Sequence, residues 1–587
     1  MSGLIFKRRE EHNYTLVYRF CLPCTVLFLL MSGEPATSQK KYDESVREAR
    51  EYLEKRGEVF LSIPVSEKEP ISRLSKIISI DGFTNDYFRV YASPKGFDSL
   101  ISNNIAFRVE IPPSIKSGTL KTTGEFPGDW TRYPSWDEYV SFLQKLASSN
   151  PELCRLDTIG FSIEKRAILA LKISDQVKNN EPEPCFLFTS TMHGNEVGGF
   201  FLLLRFADWL AQDYGKDPHI TDLVNDLQIW INPLSNPDGT YFISNASISG
   251  AKRFNINNVD LNRNFPDPQD GPHPDGEEYQ PETLAMMKFM ESHGFTLSAN
   301  LHGGAELVNY PWDTWAKFHA DDDWYRLISR QYADTAHKLS KLYMTDMVNG
   351  ITNGYAWYEI NGGRQDYVNY FLRGREVTLE LSRDYIPLPD TLAWFWECNR
   401  RSLLNYMEQT IFGITGTVTD RMNGRPVRAE IVIPGHDSLN SSIWSDSISG
   451  KFYRLIKGGF YDLKIVASGF KDTVIYAVSA ADFKSTAIDI HLTPIKSGVE
   501  RLREPAIKIT NPFTDELKIY FDSVVQEEIT ICLYDIMGRN VINPYIVSPV
   551  ANENIITINC KSLHIGIYIL KIYTPEIGWS GLVVKTE

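Results

Sequence analysis

The pattern of apolar and polar positions changes twice along the chain. Over about 129–413, short apolar runs that predict buried strands alternate with segments whose apolar residues recur at helical spacing. The run Cys185–Phe188 is an example of the first kind, and Leu392–Thr410 is an example of the second. This alternation is typical of an α/β domain, and it predicts a mixed, mostly parallel sheet flanked by helices.

The predicted elements of this central part follow from the same spacing rules. Strands are expected at 167–173, 185–188, 227–231, 297–301 and 376–381, and helices at 136–148, 200–210, 283–292, 325–341 and 392–410.

The flanking parts have other patterns. Residues 39–127 predict a small α+β unit, and a Pro- and Gly-containing stretch ends it as a linker. The elements expected in this unit are helices at 42–56, 71–78 and 97–102 and strands at 58–65, 87–92 and 106–111. After Phe412, short runs rich in Val, Ile, Tyr and Thr predict two all-β sandwich domains, at 413–494 and 507–587, with a charged linker at 495–506.

Composition supports a folded chain of several domains. The 587 residues are 43 % hydrophobic and 23 % charged, as in globular proteins. The net charge of −14 argues against general nucleic-acid binding.

The N-terminus has the layout of a secretory signal peptide. Basic residues precede the apolar run Phe20–Met31, and Ala36 and Ser38 suggest cleavage before Gln39. The run is too short for a permanent transmembrane helix, although a membrane anchor is the alternative interpretation. We therefore expect residues 1–38 to be removed, and we expect no permanent transmembrane segment elsewhere.

Five cysteines remain after residue 38, and none of them forms a C-x-x-C pair. This spacing indicates neither a disulfide framework nor a cysteine metal site. One bridge between Cys532 and Cys560 and a set of buried free thiols are the two interpretations, of which the thiols are favoured.

The first candidate site residues lie where the strand 185–188 gives way to a helix. His193 and Glu196 are three residues apart on that turn. Imidazole and carboxylate are good Zn²⁺ ligands, and three protein ligands with one open position are typical of catalytic zinc sites. The motif alone is common by chance, so the hypothesis requires a third ligand and a base.

His302 and Glu380 fill those two roles. His302 follows the predicted strand 297–301 and is itself followed by two glycines. Glu380 stands in the otherwise apolar strand 376–381, where burying a carboxylate is costly unless it is paired or functional. The alternatives are a structural histidine and an outward-facing edge-strand carboxylate.

A turn-rich segment between His193 and His302 contains two arginines, Arg253 and Arg263. Asn262 directly precedes the second arginine. A planar guanidinium grips a carboxylate through two hydrogen bonds and stabilises an oxyanion. Considered alone, this segment would be interpreted as a solvent-exposed loop.

Taken together, the motifs of residues 129–411 resemble the zinc carboxypeptidases of the M14 family, and among them the subfamily of carboxypeptidases D, E, M and N. They occur in the family's order, and the stretches that carry the likeness are His193–Glu196, Asn236–Gly239, Asp260–Asp267, His302–Gly304, Gly362–Asp366 and Thr378–Leu381.

The resemblance implies a role for each candidate residue. His193, Glu196 and His302 match the ligands of one zinc ion, and Glu380 matches the general acid/base. The remaining matches are to the oxyanion-stabilising arginine, to the clamp on the terminal carboxylate and to a mobile tyrosine that closes over substrate: Arg253, Asn262 with Arg263, and Tyr358. The catalytic domain is expected at 128–412.

The resemblance also implies a substrate class. Asp313 stands where the subfamily places the acid that meets a basic side chain, and Gln365 matches a second polar wall of that pocket. A buried carboxylate favours Lys or Arg, because an apolar side chain would leave it unpaired. We therefore expect release of C-terminal Lys or Arg. Two departures, Lys252 before Arg253 and the stretch 382–387 after Glu380, leave the catalytic positions intact.

The flanking domains carry resemblances of their own. Residues 413–494 resemble a transthyretin-like domain, and 39–127 resemble a pro-segment, although no site-blocking motif is legible there. Residues 507–587 resemble the C-terminal sorting domain of type IX secretion, with an ordinary immunoglobulin-like module as the alternative. The resemblance implies a protein carried by the type IX machinery through the periplasm to the cell surface or the medium.

Two other functions remain open from the sequence. One is an M14 amidase that acts on cell-wall peptides, and Asp313 with Gln365 speaks against it. The other is a non-catalytic surface adhesion protein, and the complete set of matching positions speaks against that.

Overall fold

The structure is a computed structural model, and it describes residues 35–65, 71–84, 86–116, 126–128, 130–179, 181–495, 507–521, 528–542, 544–547, 555–573 and 578–587. The predicted signal peptide lies almost wholly outside the described residues, as does most of the linker 495–506. The chain divides into two compact units, residues 1–494 and 495–587.

The first part of the larger unit is a small α+β fold. Its strands form an antiparallel sheet in the order β2-β3-β1-β4, and helix α1 packs on it. The elements are α1 Pro35–Arg56, β1 Val59–Pro64, α2 Ile71–Leu74, β2 Ser79–Phe83, β3 Tyr87–Ala92, α3 Pro94–Ser102, β4 Arg108–Val109 and α4 Pro113–Lys116. We call residues 35–116 the N-terminal unit.

The central domain is built on one eight-stranded mixed sheet in the order β11-β10-β12-β9-β7-β8-β6-β5. Its strands are β5 Cys154–Phe161, β6 Ala167–Ile173, β7 Cys185–Ser190, β8 Gln228–Asn232, β9 Leu297–His302, β10 Glu306–Tyr310, β11 Ile351–Asn353 and β12 Arg375–Leu381. The middle strands β12, β9, β7 and β8 run parallel, and antiparallel pairs join them to the edges. The predicted α/β fold class is therefore confirmed.

Helices cover both faces of this sheet. They are α5 Trp136–Ser149, α6 Gly198–Asp213, α7 Pro218–Asp226, α8 Pro237–Thr240, α9 Pro281–His293, α10 Asp322–His337, α11 Asp346–Asn349, α12 Gly354–Trp357, α13 Arg364–Tyr367 and α14 Leu392–Glu408. Short 3₁₀ segments at Leu261–Arg263, Pro389–Thr391 and Gln409–Ile411 and a π turn at Val368–Leu372 complete the set.

Strand β7 shows why parallel strands contain consecutive apolar residues. Phe186 and Phe188 belong to the core beneath α6, α10 and α14, whereas Leu187 belongs to the core beneath α9. Because successive side chains point to opposite faces, a strand covered by helices on both sides favours apolar residues on both of its faces.

Most predicted elements occur close to their expected places, but the structure adds several strands. The helix expected at 71–78 ends at Leu74, and the residues that follow form β2, which the sequence pattern did not indicate. Strands β5, β10 and β11 are also additions, and they are sheet edges or their immediate neighbours with mixed composition. The strand expected at 106–111 is reduced to Arg108–Val109.

A β-sandwich follows α14, as predicted. Its two sheets have the orders β16-β13-β19 and β15-β14-β17-β18. The strands are β13 Gly413–Asp420, β14 Glu430–Val432, β15 Ile443–Trp444, β16 Lys451–Arg454, β17 Gly459–Val466, β18 Thr473–Ala480 and β19 Ser485–Leu492.

The smaller unit is all-β, also as predicted. It has two sheets in the orders β20-β21-β24 and β23-β22-β25-β26. The strands are β20 Lys508–Ile509, β21 Glu516–Tyr520, β22 Ile529–Asp535, β23 Tyr545–Val547, β24 Ile555–Asn559, β25 Gly566–Tyr573 and β26 Gly578–Lys585. Cys532 and Cys560 are buried free thiols. Over the described part of the chain, every helix is too short or too polar to serve as a membrane span.

Candidate metal centre and substrate cleft

The turn between β7 and α6 carries the first two candidate ligands. His193 and Glu196 lie between the end of β7 at Ser190 and the start of α6 at Gly198, and both are buried. Gly199 packs tightly there, since a methyl group on it would lie 2.3 Å from Ser190 Oγ. The absence of a side chain therefore lets α6 start directly over the sheet.

The neighbouring strands deliver the next two residues to the same edge of the sheet. His302 is the last residue of β9, which pairs with β7 on one side and β12 on the other. In the parallel register of β9 and β12, His302 lies opposite Glu380. Adjacent parallel strands end at the same side of a sheet, which is why residues far apart in sequence meet here.

The donor atoms of His193, Glu196 and His302 converge on one point. His193 Nδ1 lies 2.9 Å from Glu196 Oε1, and His302 Nδ1 lies 2.8 Å from Glu196 Oε2. The two Nδ1 atoms are 3.1 Å apart. Two imidazole nitrogens and a carboxylate this close together form a donor set that suits a divalent cation.

The outer nitrogen of each imidazole is already bonded. His193 Nε2 lies 2.9 Å from Asp260 Oδ1, and His302 Nε2 lies 2.6 Å from the side-chain amide of Asn300. The Asp260 carboxylate accepts the proton of His193 Nε2, which leaves Nδ1 of that ring free to bind a metal. The residues present therefore fit a zinc ion.

Arg253 lies beside the donor set, buried in a network of carboxylates. Its Nη1 donates to Glu196 at 2.7 Å and to Asp81 at 3.2 Å. Its Nε donates to Ser79 at 2.9 Å. Asp81 and Ser79 belong to β2 of the N-terminal unit, so two domains meet on this guanidinium.

Asn262 and Arg263 lie on the short 3₁₀ segment that follows Asp260. Asn262 accepts a hydrogen bond from the backbone N–H of Arg364 at 3.0 Å. Arg263 is 9 % exposed, and its Nε and Nη2 are buried without a hydrogen-bond partner among the described residues. Unpaired buried guanidinium donors are costly, which indicates a site for an anionic ligand.

Asp313 is buried in the same cleft. Asn309 donates to its carboxylate at 2.9 Å, and its backbone N–H is held by Asp366 at 3.1 Å. Burial raises the pKa of Asp313 to about 6. Both polar atoms of the Gln365 side chain are buried and lack partners within the described structure.

Glu380 and Tyr358 complete the predicted set. Burial, with the negative charge of Glu196 adding to it, raises the pKa of the Glu380 carboxyl well above its ordinary value. Its Oε2 is a further buried atom for which the described residues supply no partner. The Tyr358 hydroxyl donates to the backbone oxygen of Ile80 at 3.3 Å.

A single small cavity brings these groups together. Nine of the ten predicted site residues line it, and Gln365 alone lies outside the lining. The cavity volume is about 20 Å³.

Sequence reasoning missed three groups that shape the site. Asp260 belongs to the motif at 260–267, but the sequence does not indicate its contact with His193, nor the contact of Asn300 with His302. The polar residue two positions before His302 in a buried strand was the available signal for Asn300. Asp81 had no such signal, because nothing in its sequence relates it to Arg253.

Two family models match the chain. One, described as zinc carboxypeptidase, matches residues 139–402. The other, described as a secretion system C-terminal sorting domain, matches residues 510–583.

Known carboxypeptidases are similar to about two thirds of the chain. Human carboxypeptidase D is 34 % identical over 437 residues, which cover 71 % of this chain and 31 % of that protein. The chain thus spans only about a third of its length. Mouse carboxypeptidase M is 31 % identical over 407 residues, which cover 66 % of this chain and 89 % of that protein.

Among solved structures, carboxypeptidase A from Helicoverpa armigera is similar with a TM-score of 0.46 at 17 % identity, over 60 % of this chain and 96 % of that one. From the family match and the carboxypeptidase M alignment, the chain belongs to the zinc carboxypeptidase family, peptidase M14, and it carries a secretion-system sorting domain at its C-terminal end.

Proposed function

We propose that this protein is a secreted zinc metallocarboxypeptidase that releases single Lys or Arg residues from the C-termini of peptides and proteins. The observation that carries the proposal is the buried carboxylate of Asp313 in the cavity that also contains Arg263 and the three metal donors. A site for an anion, a site for a cation and a hydrolytic centre within one cleft match a peptide that ends in a basic residue.

The clamp on the substrate's terminal carboxylate is assigned to Arg263 and Asn262. The unpaired Nε and Nη2 of Arg263 are two buried donors, and a carboxylate accepts from a guanidinium through two parallel bonds. Requiring a free α-carboxylate at this position restricts cleavage to the last peptide bond.

Recognition of the basic side chain is assigned to Asp313 and Gln365. An ammonium or guanidinium group of substrate pairs with the Asp313 carboxylate, and the unsatisfied amide of Gln365 offers both an acceptor and a donor. An apolar side chain would leave these buried groups unpaired, which disfavours its release.

Proton transfer is assigned to Glu380. Its carboxylate takes a proton from the attacking water and returns it to the leaving amine. Arg253 holds the developing oxyanion through its guanidinium, and Tyr358 closes over the bound substrate. Buried, preorganised groups of this kind are more effective than the same groups in water.

His193, Glu196 and His302 would hold the zinc ion, with Asp260 orienting the His193 imidazole. When bound, zinc supplies Lewis-acid chemistry that polarises a carbonyl and acidifies water.

The sorting domain supports a location outside the cell or on its surface. Its presence indicates a secreted or surface protein. We propose export by the type IX machinery through the periplasm, after removal of the signal peptide predicted at 1–38.

The test is hydrolysis of matched short peptides that end in Arg, Lys, Phe or D-Ala. Wild type is assayed with and without a zinc chelator, beside Glu380→Gln. The proposal expects release of Arg and Lys only, abolished by a zinc chelator and reduced at least about 10³-fold by Glu380→Gln, which cannot accept the proton.

Release of Phe instead would contradict the proposed specificity for basic residues, but it would agree with the proposed carboxypeptidase activity. Release only of D-Ala would favour the cell-wall amidase. A zinc-loaded protein that releases none of the four would contradict the proposed function.

A further inference from the structure

Helix α13 contacts both parts of the cleft that are assigned to substrate. The backbone N–H of Arg364, its first residue, donates to Asn262 Oδ1 at 3.0 Å. The Asp366 carboxylate accepts hydrogen bonds from the backbone N–H groups of Asp313 at 3.1 Å and Thr314 at 2.8 Å. A single turn of helix therefore joins the carboxylate clamp to the pocket for the basic side chain.

The start of this helix lies between the two recognition groups. A Cβ atom on Gly363 would be 3.7 Å from Asp313 Oδ2 and 3.8 Å from Asn262 Oδ1. Gln365, the second polar wall of the pocket, comes two residues later. A displacement of this turn would change the clamp and the pocket together, and a misplacement of about 1 Å is enough to impair an active site strongly.

Helix α13 is too short to hold its own position. It spans only Arg364–Tyr367, and no side chain caps its N-terminus at Gly363. An isolated turn is unstable, because it fixes several backbone dihedral angles for a single hydrogen bond. Its position must therefore come from contacts with the rest of the domain.

The side chain of Arg364 supplies such contacts. It is 1 % exposed, and its Nε and Nη2 donate to the two oxygens of Glu376 at 3.0 and 2.8 Å. Glu376 is a fully buried residue of β12, and Ser298 Oγ of β9 donates to it at 2.5 Å. The remaining nitrogen, Nη1, donates to Thr189 Oγ1 of β7. Directly and through Glu376, one guanidinium thus ties α13 to three adjacent strands.

Stability alone does not account for this buried ion pair. Removing two charges from water costs free energy that their attraction offsets only in part, and apolar side chains of similar size often serve a core as well. The two parallel hydrogen bonds instead fix a direction, since a planar guanidinium grips a carboxylate in a restricted geometry. The pair therefore holds α13 in one orientation on β12, the strand that also carries Glu380.

We propose that Arg364 is a positioning residue of the substrate site. Through its pair with Glu376 it holds α13 so that Asn262, Asp313 and Gln365 keep the arrangement that a C-terminal basic residue needs. The inference rests on the proposed function, because it concerns how the same site binds its substrate. Arg364 acts through these residues, since it does not line the cavity that contains the metal donors.

The experiment uses the full-length, zinc-loaded protein with the ion pair replaced as a unit. Arg364→Met alone would leave the buried Glu376 carboxylate unpaired, so it is combined with Glu376→Gln, whose amide oxygen still accepts from Ser298. Arg364→Lys is the conservative variant, because it keeps the charge but not the two parallel bonds. The control is Arg375→Met, since Arg375 is a similarly buried arginine that pairs with Asp321 and does not line the cavity.

Two readouts are taken. One is steady-state kinetics with a short peptide that ends in Arg. The other is amide hydrogen exchange over 311–316 and 360–367, which contain the backbone N–H groups held by Asp366 and Asn262. The double variant should raise KM by about tenfold with kcat within about threefold of wild type, because binding geometry is loosened and the reacting groups are unchanged. Exchange should be faster over both segments, with a smaller rise in KM for Arg364→Lys and none for Arg375→Met.

The outcomes separate the positioning role from the proposed function. An unchanged KM, a rise in KM no larger than that of Arg375→Met, or a fall in kcat alone would overturn the role of Arg364. If even wild type leaves the peptide intact, the proposed function is contradicted and hydrogen exchange decides the inference. Faster exchange over both segments in the double variant, but not in Arg375→Met, would then support Arg364 as the residue that holds the cleft together, and unchanged exchange would overturn it. Thermal unfolding establishes that each variant is folded.

Discussion

At the scale of single residues, Asp313 carries the proposed specificity. Asp313→Asn should lower kcat/KM for peptides ending in Arg by about 10²–10³-fold, because a bound cation would lose its buried partner. Cleavage of the matched peptide that ends in Met, which is slow because Met leaves the carboxylate unpaired, should not fall. Steady-state kinetics measures both, and Asp323→Asn at an exposed position is the control. An equal loss for both peptides would contradict the assignment.

The charge of Asp313 also predicts a pH dependence of specificity. Burial raises the pKa of Asp313 to about 6, so in the free protein the carboxylate predominates above that pH and becomes neutral as the pH falls through it. The ratio of kcat/KM for the Arg peptide to that for the Met peptide should therefore fall as the pH drops from about 7 to 5. Taking the ratio cancels ionisations common to both substrates, such as that of Glu380. A constant ratio across this range would be inconsistent with Asp313 as the specificity group.

How far the sequence predicts the site depends on what kind of contact each residue makes. His193, Glu196 and His302 can be recognised in the sequence, because metal ligands at strand ends have restricted residue types and spacings. The structure brings their donor atoms within 4.8 Å of one another. Asp81 cannot be recognised in this way, because its partner Arg253 lies 172 residues away in the sequence. Its role depends on how two domains pack.

At the scale of elements, the buried parallel strands and long helices were predicted well, and the edges were not. Residues 186–188 of β7 are apolar and pack against helices on alternate sides of the sheet, so the sequence pattern indicates burial on both faces. Strand β2 is short and contains Ser79, Asp81 and Gly82, which do not favour strands in isolation. It forms because its polar side chains find partners in the cleft, and such distant partners are not visible in the strand's own sequence.

At the scale of the whole larger unit, a buried ion network joins the catalytic domain to the β-sandwich. Asp321 accepts from Arg375 of β12 at 2.8 Å and from Arg454 of β16 at 2.8 Å. Arg454 is fully buried and also bonds Asp437 at 2.6 Å. The sandwich therefore supplies one of the cations that neutralise a buried carboxylate of the catalytic domain.

Arg454→Met should consequently destabilise the catalytic domain as well as the sandwich. Removing one partner of a buried ion network leaves the other charges uncompensated and costs about 3–5 kcal/mol of unfolding free energy. Urea unfolding followed by intrinsic fluorescence measures the change, and Arg425→Met, at an exposed position of the same sandwich, is the control. A loss no larger than that of the control would contradict a structural coupling through Asp321.

The central claim is a basic-specific, metal-dependent carboxypeptidase. The most direct test is the release of Arg from a short peptide by the zinc-loaded protein, with and without chelator. The account predicts chelator-sensitive release of Arg, while the matched Phe peptide stays intact. Release that persists after zinc is removed, or that is equally fast for the Phe peptide, would contradict it.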